Sequence, residues 1–184
     1  MRCSAVLLAG GKSSRMGSDK AFLEIEGEPL WQRQLATLRG LSPDQLMISG
    51  PGREEWDEYE IVNDEFAAAG PLAGVTAALR NCATSHLVVL AVDLPNMTTD
   101  FLRSLLQLCR AGKGVVPRRS DRFEPLAAIY PTDCLALANE ALRDGDFSMQ
   151  HFVRKAQGED LLLEQPISDE EIVLFANLNT PADL

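Results

Sequence analysis

A chain of 184 residues, 46% of them hydrophobic and 24% charged, has the size and composition of an ordinary globular protein with enough material for a sizeable core. Its formal net charge of −10 excludes a general nucleic-acid surface, and no apolar run approaches the ~18 residues that a membrane span requires. The first apolar segment is short and leads into a glycine pair with no cleavage-site context, so a cytoplasmic protein is expected, with neither membrane nor nucleic acid as a partner.

Residues 3–8 form a Val- and Leu-rich run with little alternation, the pattern of a strand buried on both faces of a parallel sheet. The glycine pair Gly10-Gly11 follows, and the composition then turns polar and basic with Lys12, Arg15 and Lys20. Residues 21–25 are a short mixed segment ending in a turn at residues 26–28, after which Pro29 opens a helix in its first turn and Gly40 stops it. A second strand is expected over residues 45–49 and a short third over residues 60–63, followed by Asp64 and a helix from about Gly70 to Arg80. Residues 86–92 are the most apolar strand and end at Asp93-Leu94-Pro95; Thr98 or Thr99 then caps a helix with Leu102, Leu105, Leu106 and Cys109 on one face. Further strands are expected at residues 114–117, 124–130 and 172–175, and further helices at residues 132–142 and 149–156. The stretch 117–123 is polar and basic.

Strand and helix alternate at the spacing of βαβ units, which implies a single-domain α/β fold over residues 1–184: a mostly parallel sheet with helices on both faces. Such folds bind ligands beyond the carboxyl ends of their strands. Gly10-Gly11, Ser49, Asp64, Asp93 and Asn177 all fall at or just past an expected strand end, where they could assemble one site. The four cysteines, Cys3, Cys82, Cys109 and Cys134, form no CxxC pair and suggest buried free thiols. His86 begins an apolar run and reads as a boundary or core histidine.

The glycines after the first strand let the backbone approach an anion, and three cations follow them in an otherwise acidic chain. The stretch has neither the Gly-Lys-Ser/Thr ending of a Walker loop nor GxGxxG spacing, so it reads as a nucleotide-phosphate loop of another kind. Arg15 and Lys20 suit a phosphate clamp; Lys12 suits either that clamp or a solvated loop tip. Asp93 ends an apolar strand, where a lone carboxylate either binds a cation such as Mg²⁺ or caps the turn before Pro95. Asp64 suits the N1–H and N2–H₂ donor edge of guanine, or is an ordinary loop carboxylate. The glycines Gly70 and Gly74 allow close approach of a ligand or of packed neighbours.

The string from Leu8 to Lys20 resembles the LAGGxSxRMGxDK signature of nucleotidyltransferases that activate small molecules with a nucleoside triphosphate, and among these the MobA-like molybdenum cofactor guanylyltransferases. Gly70-Pro71-Leu72-Ala73-Gly74 is similar to the family's GPLAG segment, Asp93-Leu94-Pro95 to its DxP metal motif, and Asn177-Leu178-Asn179-Thr180-Pro181 to its NxNTP motif. The resemblance implies a Rossmann-like three-layer fold of the nucleotide-diphospho-sugar transferase type and transfer of GMP from GTP to molybdenum cofactor with release of pyrophosphate. It implies that Leu8, Ala9, Gly10, Gly11, Ser49 and Gly74 lie along the nucleotide, Arg15 and Lys20 act on its phosphates, Asp64 reads guanine and Asp93 holds Mg²⁺. Asn177 and Asn179 are implied on the pterin side, with cofactor-delivery proteins and molybdoenzyme chaperones as partners. Ser49-Gly50-Pro51-Gly52 departs from the amide that the family often carries there, and no histidine precedes Pro125 as in some members. The alternatives are a related enzyme that uses CTP on the same cofactor, which typically lacks the GPLAG segment, or one that uses another acceptor, and a nucleotide-binding module without turnover, which would need no Asp93.

Overall fold

The computed structural model describes residues 1–10, 20–63 and 69–178. In chain order the strands and helices are β1 (Ser4–Leu8), β2 (Glu24–Ile25), β3 (Glu28–Pro29), α1 (Leu30–Arg39), β4 (Gln45–Ser49), β5 (Glu60–Val62) and α2 (Pro71–Asn81). There follow β6 (His86–Ala91), α3 (Thr99–Leu108), β7 (Gly114–Arg119), β8 (Arg122–Phe123), β9 (Ala127–Pro131), α4 (Cys134–Asp144), α5 (Met149–Gly158) and β10 (Leu162–Pro166).

The main sheet runs in the order β5-β4-β1-β6-β9-β7-β10, with β8 folded back on β7. The pairs β4–β5, β1–β4, β1–β6 and β7–β10 are parallel, while β9 is antiparallel to both β6 and β7. The chain builds outward from β1 through β4 to β5, then returns to place β6 on the other side of β1. That reversal opens a crevice at the carboxyl ends of β1 and β6.

Alternate residues of each strand serve opposite faces. Ala5, Leu7, Val88 and Leu90 pack with Leu30, Leu35 and Leu38 of α1 and Phe101, Leu102 and Leu105 of α3. Val6, Leu8, Leu87 and Val89 pack instead with α2, α4 and α5. The layers are therefore helices, sheet and helices, and each fully buried leucine contributes roughly 1.5–3 kcal/mol. Thr98 caps α3 by accepting from the Phe101 N–H at 3.2 Å, and Ser148 caps α5 by accepting from His151 N–H at 3.3 Å.

Several expectations are corrected. Residues 172–175 form a 3-10 turn, Ile172–Phe175, and not a strand. Its apolar side chains fit a strand, but Phe175 packs edge-on against Phe101 of α3 at 5.4 Å, and the place beside β7 belongs to β10. β10 itself, with Glu164 and Gln165 along it, was not anticipated. Pro29 precedes α1 and ends a small hairpin whose two-residue turn, Glu26 and Gly27, has φ of 55° and 82°, a conformation suited to tight hairpins. The strand expected at residues 124–130 begins only at Ala127.

Candidate active site

At the carboxyl end of β1, the N–H groups of Ala9 and Gly10 both donate to the carbonyl of Ser49, at 2.8 and 3.0 Å. The loops leaving β1 and β4 touch there through backbone alone: a Cβ on Gly10 would stand 3.2 Å from the Gly50 Cα, and one on Gly50 would stand 3.1 Å from the Gly10 nitrogen. A side chain at either position would push the loops apart. Beyond β6, the Val92 N–H donates to the Leu8 carbonyl at 3.1 Å and carries the chain to Asp93 at the same end of the sheet.

Asp93 is held from three directions. Its carbonyl accepts from the Leu178 N–H at 3.1 Å, and the Leu178 carbonyl accepts from the Lys20 ammonium at 2.9 Å. Lys20 Nζ lies 3.8 Å from Asp93 Oδ2, with the two side chains 24% and 29% exposed. They are sheltered enough for their charges to act strongly yet open to a ligand. Burial pushes the Asp93 carboxyl above its ordinary range, partly offset by Lys20 and by its own residue's N–H. From behind, Gln34 of α1 donates to the Leu94 carbonyl at 2.5 Å and Arg33 to the Pro95 carbonyl at 3.3 Å. The turn carrying Asp93 is thus bolted to the helix layer.

Asp93 and Asn177 share the wall of an open cavity of about 690 Å³. Its other walls are the β7–β8 hairpin with Arg119 and Arg122, the segment Phe123-Glu124-Pro125, the start of α5 with Ser148 and Gln150, and the Phe147 ring. Burial raises the Glu124 carboxyl, and the charges of Arg122 and then Arg119 partly offset this. Asn177 arrives here by a route other than the expected one: it follows a 3-10 turn, and the Leu178–Asp93 hydrogen bond brings it in.

The structure therefore gathers Ala9, Gly10, Lys20, Asp93 and Asn177 at one end of the sheet. Leu8, Ser49 and Gly74 belong to the same region, but their side-chain positions lie inside the packing. A Cβ on Gly74 would stand 2.6 Å from Ser49 Oγ and 3.2 Å from Leu8 Cδ2, so this glycine lets α2 lie close to β1 and β4. Any contact these three make with a ligand must come from backbone. Gly11, Lys12, Arg15, Asp64 and Asn179 lie outside the described residues. Glu124, Gln150 and Phe147 were missed as site residues. The basic stretch before Glu124 was visible, but nothing local marks a helix-start glutamine or a loop phenylalanine as cavity wall.

Residues 5–161 match the model of the MobA-like NTP transferase domain. The chain belongs to that family. It is 44% identical to the "Probable molybdenum cofactor guanylyltransferase" of Opitutus terrae, over 98% of this chain and 92% of that one. It is 34% identical to the molybdenum cofactor guanylyltransferase of Pseudomonas fluorescens strain SBW25, over 97% of this chain and 90% of the relative. Among solved structures it is similar to molybdopterin-guanine dinucleotide biosynthesis protein A from Archaeoglobus fulgidus, with a TM-score of 0.77, 26% identity and coverage of 98% and 94%. The 2-C-methyl-D-erythritol 4-phosphate cytidylyltransferase of Thermus thermophilus shares the fold at a TM-score of 0.72 and 18% identity, covering 100% of this chain and 95% of the other. The family's fold and the α/β architecture seen here agree.

Proposed function

We propose that the protein is a cytoplasmic molybdenum cofactor guanylyltransferase, which transfers GMP from GTP to the phosphate of molybdenum cofactor and releases pyrophosphate. The observation that carries this reading is the Lys20–Asp93 pair at the switch point of the sheet, next to the cavity, in a chain so similar to guanylyltransferases. An oxygen of the acceptor's phosphate attacks the α-phosphorus of GTP, and the bond from that phosphorus to the bridging oxygen of pyrophosphate breaks. Lys20 and Arg15 neutralise the triphosphate; Asp64 reads the donor edge of guanine.

Among the described residues no three His, Cys, Asp or Glu side chains cluster as metal ligands. A single accessible carboxylate fits Mg²⁺ nonetheless, because that ion is commonly bound by one or two carboxylates and substrate phosphates. Asp93 would hold it, and its place at the carboxyl edge of the sheet, partly sheltered and still open to a ligand, supports that fit. Bound there, Mg²⁺ would supply charge neutralisation at the phosphates. Lys20 holds its ammonium beside Asp93 and anchors the segment bearing Asn177, which keeps the two substrate halves in register. On this reading delivery proteins and molybdoenzyme chaperones are the protein partners, and nucleic acid is not one. No helix among the described residues is long and apolar enough to cross a membrane.

The test is pyrophosphate release by the purified protein with Mg²⁺ and molybdenum cofactor, offering GTP, CTP and ATP separately. Release with GTP, dependent on the cofactor, is expected. Release with CTP in its place would overturn the base assignment, and no release with any nucleotide would overturn the reaction.

A further inference from the structure

The wall of the cavity beside Asp93 carries two acidic residues that the chemistry above leaves unused, the exposed Asp121 at the hairpin turn and the partly buried Glu124. Glu124 is fixed through the backbone on both sides of it. The Phe123 N–H and carbonyl are both paired with the side-chain amide of Gln150, at 3.1 and 2.9 Å. The Glu124 N–H donates to the Pro117 carbonyl at 2.8 Å, and the Pro125 carbonyl accepts from the buried Tyr130 hydroxyl at 2.7 Å. Two side chains from other elements thus hold a three-residue segment in place. Glu124 is partly buried, its carboxylate makes no hydrogen bond or close ion pair among the described residues, and the charges of Arg122 and Arg119 act on it from a greater distance. A carboxylate carried on a fixed backbone, partly sheltered and with its lone pairs unbonded, is suited to a ligand's N–H donors.

The same cavity has a second unexplained feature. Phe147 is 42% exposed at its wall, one of few large apolar side chains so placed among the described residues. It stands just before the start of α5, with Ser148 and Gln150 behind it in the wall. An exposed ring and an unbonded carboxylate in the wall of one cavity offer a face for stacking and an edge for hydrogen bonding, the requirements of a flat heterocycle. Arg119 and Arg122 on the neighbouring hairpin add positive charge for an anionic substituent.

We infer that Glu124 determines which ring the acceptor carries, by accepting from the 2-amino group and N3–H of a pterin while Phe147 stacks on its face. This deepens the proposed function and rests on it only for the identity of the acceptor. The cavity lies on the β9–β7 side of Asp93, away from the glycine-lined junction of β1 and β4, so guanine and pterin would occupy opposite sides of the reacting phosphate.

The chemistry makes a discriminating test. A carboxylate complements two adjacent N–H donors, whereas a carboxamide complements a donor beside a carbonyl. Pterin-6-carboxylate presents the first edge and lumazine-6-carboxylate, with a carbonyl in place of the 2-amino group, presents the second. Binding of each fluorescent probe to the full chain, read by fluorescence quenching, is expected to favour the pterin by at least ~10-fold, since one lost charged hydrogen bond is that large. In Glu124→Gln the preference should reverse toward lumazine, with GTP affinity unchanged. Phe147→Ala should weaken both probes alike by roughly tenfold. Equal affinity of the parent protein for both probes, absence of binding of either, or an undiminished pterin preference in Glu124→Gln would overturn the inference. A change confined to GTP affinity would overturn it too, assigning the carboxylate to guanine. If the probes discriminate as expected while GTP and molybdenum cofactor give no pyrophosphate, the proposed reaction fails and the ring-reading site stands.

Discussion

Asp93 sits where a carboxylate is costly to the free protein. Its raised pKa means that ionisation is less favourable folded than unfolded, with burial the largest cause. The sign follows: stability from the neutral acid is present below the ordinary carboxylate range and is lost as pH rises through the raised folded value. Ionising this group in the folded protein therefore detracts from stability. Asp93→Asn is expected to unfold no earlier than the parent in thermal melts at neutral pH. Its pyrophosphate release should fall at least ~100-fold, because several kcal/mol of charge stabilisation correspond to that factor or more. Retained turnover would remove Asp93 from the reaction, and an early melt would show that its charge supports the fold. Lys20 has a double duty, since one ammonium both faces Asp93 and holds the Leu178 carbonyl.

At the scale of elements, the site depends on how closely α2 lies against the sheet. Its second turn is placed by Gly74, whose missing side chain admits Ser49 Oγ and Leu8. Gly74→Ala should cost about 1–3 kcal/mol of stability through overpacking, read as a lower denaturant midpoint. Ser49→Ala in the same chain removes the atom 2.6 Å from the new methyl and should recover most of the loss. A midpoint unchanged by the single substitution would show that α2 has room to move. The start of α2 needs a different freedom: Gly70 has φ of 64° and ψ of −155°, a backbone state that side chains disfavour, and it turns the chain directly into Pro71.

For the molecule as a whole, both helix layers seal the sheet tightly enough to silence its thiols. Burial pushes Cys109 and Cys134 up to about 12, and Cys3 is raised for the same reason. Only the thiolate reacts, so a thiol reagent added to native protein should modify the partly exposed Cys82 first and the buried three only after denaturation. Mass spectrometry of the labelled protein checks this; early labelling of Cys134 would mean that the layer formed by α4 opens on its own. His86 belongs to the same sealed interior, with Nε2 at 3.0 and 3.2 Å from the Arg110 and Lys113 carbonyls, a satisfied core histidine.

The local pattern of this chain determines most of its layered fold. The continuous apolar runs at β1 and β6 can be satisfied only by burial on both faces, which demands a parallel sheet between helices. The ends of those runs put Gly10 and Asp93 at the carboxyl edge of the sheet, where such folds bind ligands. Tertiary structure alone decided the rest. Residues 172–175 have the composition of a strand, yet the partner they find is Phe101 and not a sheet edge, while the polar-looking β10 takes that edge. Gln150 and Phe147 carry no signal in sequence, and Glu124 only its place before Pro125, since what makes them a wall is the antiparallel insertion of β9 and the docking of α5 beside it. Periodicity records which side of an element is buried; it holds no record of which distant element arrives there, and most of the cavity wall beside Asp93 is made of such arrivals.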